Sequence, residues 1–147
     1  MSDEEKVVRL RCERIQADVP NLNNRVYTRE HLQKMVDRAN QEGPKRRLLG
    51  KLGQDDVRVT MSNASHLVLS GRLDGDHVSA EIEPLDTPMG RVLEDLLASG
   101  EAEIVPCGVG SLREDGVVGE DYRFISFDVV QKLTEKEIAE VRARGKE

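Results

Sequence analysis

Residues 67–82 read Leu67-Val68-Leu69-Ser70-Gly71-Arg72-Leu73-Asp74-Gly75-Asp76-His77-Val78-Ser79-Ala80-Glu81-Ile82, two β-type runs on either side of an Asp-Gly dipeptide. Asp-Gly tolerates the positive φ of a tight turn, so the stretch predicts an antiparallel hairpin. A hairpin in mid-chain argues against a regular alternation of parallel strands and crossover helices.

Beyond it, Thr87-Pro88 is a cap followed by proline at the first helical position. Met89, Val92, Leu93, Leu96 and Leu97 form one apolar face and Gly100 supplies a stop, which predicts a helix over 87–98. Glu103 to Val109 and Tyr122 to Val130 read as strands joined by a polar loop through Glu114-Asp115-Gly116. Thr134 with Glu137 makes a capping box, and Leu133 with Ile138 a staple, for a terminal helix over 133–147.

Before the hairpin, Leu48 to Leu52 and Val57 to Met61 read as strands. Thr28 caps a predicted helix over 28–42 whose Leu32, Met35, Val36 and Ala39 share a face, and which stops at Gly43-Pro44. Val7 to Ala17 predicts a first strand, ending in a loop at Val19-Pro20-Asn21, with residues 1–6 as a frayed tail. The class is α+β: an antiparallel, barrel-like sheet with flanking helices, in a single domain over 1–147. The expected core is Leu10, Leu32, Met35, Val36, Leu69, Val78, Ile82, Val92, Leu93, Leu96, Ile104, Phe124 and Phe127.

Composition narrows the function. The net charge is -6, from 22 basic and 28 acidic residues, the only basic cluster is Lys45-Arg46-Arg47, and aromatics are 3% of the chain. Nucleic-acid binding needs a basic stripe and stacking rings, so no nucleic-acid partner is expected. No apolar run approaches the ~20 residues of a membrane span, and the start lacks a secretory pattern, so a cytosolic, membrane-free protein is expected. Cys12 and Cys107 lack C-x-x-C spacing and read as buried thiols. His31, His66 and His77 show no metal-ligand spacing, and the acidic Asp55-Asp56 and 114–121 stretches read as solvated loops. Gly108-x-Gly110 lacks the strand-to-helix context of a phosphate loop. Neither a metal nor a cofactor is expected.

Asn21-Leu22-Asn23-Asn24-Arg25-Val26-Tyr27 is N-x-N-x-R-x-Y between the first strand and first helix. It resembles the N-x-N-x-R-x-Y-P signature of the T4-type prohead core protease family, with Thr28 in place of the proline. Gly50-Lys51-Leu52-Gly53-Gln54 stands where that family has G-E-L-x-H, and Thr87-Pro88-Met89-Gly90-Arg91 resembles its T-P-x-G-K/R helix entry. Gly108-Val109-Gly110-Ser111 resembles the end of its S-S-R-G-x-G-S motif, and Asp128-Val129-Val130 its late D-x-V strand. The similarity runs in order over roughly residues 10 to 130. It implies a herpesvirus-protease-like fold, a β-barrel with surrounding helices, which in active members cuts scaffold and capsid proteins inside the prohead.

Active members use a serine from the first position of S-S-R-G and the histidine of G-E-L-x-H. Carried over residue by residue, the serine falls on Val105 and the histidine on Gln54, while Pro106 and Cys107 replace the second serine and the arginine. Acyl transfer needs a nucleophile and a base of suitable pKa within reach; valine has no heteroatom and an amide no useful basicity. The resemblance therefore implies a protein inactive by the family route: a capsid, decoration or prohead core component of a tailed phage. Its partners would be phage capsid or scaffold proteins, with homo-oligomers as a further option, and its location the virion or the host cytoplasm.

Two rival readings stand beside it. One is an active peptidase with relocated groups, Cys107 or Ser111 acting with His66. The other is a small binding module or inhibitor that holds a peptide or ligand in the former substrate groove. Ser65-His66 is not expected to pair, because adjacent strand residues face opposite ways.

Overall fold

The structure, a computed structural model, describes residues 7–21, 24–53 and 59–145. The predicted hairpin forms its centre: β3 (Ala64–Asp74) turns through Gly75, at φ +67, into β4 (His77–Pro84), with Asp74 paired to His77. β1 (Val8–Arg11) adds to the far side of β4, and β2 (Leu49–Lys51) to the far side of β3, all antiparallel, in the order β1-β4-β3-β2. β5 (Ala102–Val109) and β6 (Arg123–Gln131) make a second antiparallel sheet.

The sheets meet along two seams. At one, Leu52 bridges Val129 in parallel and the Gly53 N–H donates to the Val129 carbonyl at 2.9 Å. At the other, the buried Glu103 carboxylate of β5 accepts the backbone N–H groups of Glu13 and Arg14, just past β1, and pairs with the Arg14 guanidinium. The result is barrel-like, with a ladder that does not close among the described residues.

α1 (Arg29–Glu42) begins at Thr28, whose hydroxyl accepts the His31 N–H while the His31 ring accepts the Thr28 N–H, a capping box with histidine at the third position. The helix lies on β3. Asn40 and Gly71 exchange two hydrogen bonds, and Gly71 leaves room for Ala39 and Val36. α2 (Pro88–Ser99) begins at Thr87, whose hydroxyl accepts the Gly90 N–H, and ends at Gly100 in the left-handed conformation, φ +75. α3 (Glu135–Gly145) carries the expected Thr134–Glu137 box, each group accepting the other's backbone N–H at 3.1 Å.

The core joins Leu32, Met35 and Val36 of α1 with Val68, Val78, Ile82, Leu93, Ile104, Phe127 and Val129. Leu10, Leu96 and Phe124 are half-buried against it, Phe124 tilted on Phe127 at 4.7 Å between centroids. Two expected core residues differ. Val92 is 51% exposed, because α2 buries a stripe narrower than its apolar face and Leu93 alone of its large side chains is fully buried. Leu69 is half-buried and outside the core cluster, as the extra residue of a β-bulge: Val68 pairs with Ile82 and Ser70 already with Glu81. The strand expected over Val57 to Met61 is also corrected where described. Thr60 to Asn63 turn on themselves, the Thr60 N–H donating to the Asn63 side chain at 2.6 Å, and Met61 is 78% exposed. Val57 lies outside the described residues.

Candidate functional site

Directly paired residues of an antiparallel ladder share a face, so β5 and β6 put Glu103, Val105, Cys107, Ser126 and Asp128 on one side of their hairpin. The other side carries Ile104, Phe127 and Val129 into the core. Glu103, Val105, Ser126 and Asp128 of the first side are closed to solvent, and Cys107 is half-buried. Val105, the residue on which the sequence resemblance would put a nucleophile, is 1% exposed and pairs with Asp128. Gln54, the residue on which the resemblance would put a base, lies outside the described residues.

Asp128 organises this side. Its Oδ1 accepts the Lys51 backbone N–H at 3.2 Å, and its Oδ2 contacts Lys51 Nζ at 2.8 Å. The Cys107 thiol bonds to the same carboxyl group. Burial raises the Asp128 pKa, opposed by the bonds and charge of Lys51 and the Cys107 bond. Beside it, the buried Ser126 hydroxyl has no hydrogen-bond partner among the described residues. The Lys51–Asp128 pair escaped the motif reading, although a charged residue inside the apolar run Phe124 to Val130 signals a buried partner.

His66 is held from both sides. Its Nε2 donates to the Phe127 carbonyl at 2.8 Å, which leaves Nδ1 as the acceptor of the Ser65 hydroxyl at 2.7 Å. Both imidazole nitrogens are thus occupied, and both residues are 0% exposed. Burial lowers the His66 pKa to about 4, against the opposing bond to Phe127, so the ring is neutral at pH 7. The expectation that Ser65 and His66 face apart is overturned by a bulge. Gly50 pairs with His66 and Lys51 with Ala64, so Ser65 is an extra residue, and neighbours at a bulge escape strict alternation. A serine hydroxyl on an imidazole is the elementary nucleophile–base arrangement, but here no solvent reaches it.

Ser111 lies in the β5–β6 loop, where its backbone N–H and its hydroxyl both donate to the Asp121 carboxylate and lower that group's pKa. The signature residues build the support. The Asn21 side chain accepts the Arg25 N–H, and Asn24 takes φ +59, a conformation asparagine tolerates. Val26 then bridges Val117, and Tyr27 meets Tyr122 edge to face at 5.7 Å. The Tyr122 ring covers Gly108 and the Tyr122 backbone passes over Gly110, so a side chain at either glycine would collide with that residue. Thr87 donates to the Ala64 carbonyl at 3.3 Å, Pro88 opens α2, and Gly90 sits against the Leu85 carbonyl. Asn23 lies outside the described residues. Among those residues no three metal-ligating side chains cluster, and no helix is long and apolar enough to cross a membrane.

No family model matches the chain, and no curated protein matches it. Among solved structures, its fold is similar to that of the bacteriophage T4 capsid assembly protease, with a TM-score of 0.69 and 21% sequence identity. The match covers 84% of this chain and 80% of that one. The expectation of a prohead-protease-like α+β fold is thereby met.

Proposed function

We propose that this chain is a non-catalytic protein of protease fold that serves a tailed phage in the capsid, as a decoration protein, or in the prohead core. The observation that carries this reading is the buried Val105: an apolar side chain at 1% exposure stands where the family places its nucleophile. The remaining candidates support it. His66 has both nitrogens engaged, the Cys107 thiol bonds to a carboxyl group that disfavours a thiolate, and the Ser111 hydroxyl donates to Asp121, a carboxylate whose lowered pKa makes it a weak base. The similar structure is that of a capsid assembly protease, so phage capsid or scaffold proteins are the proposed partners, in the virion or the host cytoplasm.

The test is composition and reactivity together. Purified proheads or virions should contain the intact chain, and a fluorophosphonate probe should leave the purified protein unlabelled. Absence of the chain from every particle fraction, or stoichiometric labelling of a serine, contradicts the proposal.

A further inference from the structure

The Lys51–Asp128 contact has the features of a reactant pair rather than of an ordinary ion pair. Both side chains are 4% exposed, and Nζ lies 2.8 Å from Oδ2. Oδ1 is held separately by the Lys51 backbone N–H, a donor that polarises the carboxyl group and stays in place if Oδ2 leaves. The desolvation cost of two buried charges disappears once both groups are neutral or joined. Burial also favours the neutral acid form of Asp128.

We propose that Lys51 and Asp128 are joined by an intramolecular isopeptide bond, formed without any other enzyme from the amine and carboxyl group that β2 and β6 hold in contact. One proton passes from the ammonium to the carboxylate, leaving an amine and a carboxylic acid. The Nζ lone pair attacks Cγ, forming the C–N bond. Oδ2 collects a second proton from Nζ, the Cγ–Oδ2 bond breaks, and one water departs. Nothing is oxidised or reduced, so no co-reactant is needed. The Lys51 N–H remains on Oδ1, now the amide oxygen. Fixed contact of this kind supplies the effective concentration that a condensation in water lacks.

The bond would lie at the seam where the two sheets meet through Leu52 and Val129. It would tie β2 to β6 covalently across 77 residues of chain. The inference is independent of the proposed function.

Intact-mass spectrometry of the purified, denatured and reduced protein tests it without any variant. The expected mass is that of the residues less one water, with trypsin unable to cut after Lys51 and a branched peptide joining the Lys51 and Asp128 segments. Lys51→Arg and Asp128→Ala should each restore the missing water. A wild-type mass equal to the residue sum, with normal cleavage after Lys51, overturns the proposal. So does a missing water that maps to an Asp-Gly turn such as Asp74-Gly75, the mark of a cyclic imide.

Discussion

The imidazole of His66 lies where a side chain on Gly50 would be, and reaches across β2 to the Phe127 carbonyl of β6 at 2.8 Å. Gly50→Ala therefore drives a methyl group into the ring and the carbonyl together. The expected loss is about 1–3 kcal/mol or more, the range for overpacking a close-packed interior, and urea denaturation measures it. A change below half of that range would mean that the clasp is loose.

The same ring fixes a pH dependence. The His66 pKa is about 4 in the fold against an ordinary 6.5, so the unfolded chain binds more protons between those values. Stability from this group is complete above pH 6.5 and falls as the pH drops toward 4, by about 3 kcal/mol in all. The measurement is the wild-type stability curve minus that of His66→Gln. A flat difference over this window would show that the ring is not held neutral.

Truncating Lys51 strands a buried carboxyl group. Lys51→Met is expected to cost about 3–5 kcal/mol, and a second change, Asp128→Leu, to recover the part that the stranded carboxyl group causes, but not the part due to a covalent tie between β2 and β6. Chemical denaturation of the single and double variants gives the coupling directly. Additive losses would show that the two side chains do not depend on each other.

On α2, Leu93→Ala should cost about 2–5 kcal/mol, whereas Val92→Ala should change stability by less than about 0.5 kcal/mol, by equilibrium denaturation. The two positions adjoin in sequence but differ fully in burial, at 0% and 51%. Equal losses would mean that α2 sits differently on the sheet.

That contrast also marks how far the sequence could be read. The hairpin, the capped helices and the β5–β6 pair were legible because turn chemistry, caps and periodicity are local. Val92 was misjudged because periodicity finds an apolar face without giving the width of its contact. The bulges at Ser65 and Leu69 leave no local signal, and strict alternation alone puts Leu69 in the core and turns Ser65 away from His66. The Lys51–Asp128 pair spans 77 residues, and only the oddity of an aspartate in an apolar strand pointed to it. The motif residues were readable as a group. Their work in holding the Tyr122 ring over Gly108 depends on packing between distant loops.

Cleavage is the most direct measure of the proposed inactivity of this protease-like fold. The purified protein, incubated with tailed-phage capsid and scaffold proteins and followed by mass spectrometry, should leave each of them intact, because Val105 offers no nucleophile. Robust cleavage that vanishes in Cys107→Ala or His66→Ala would contradict the account and make the relocated pair the correct reading.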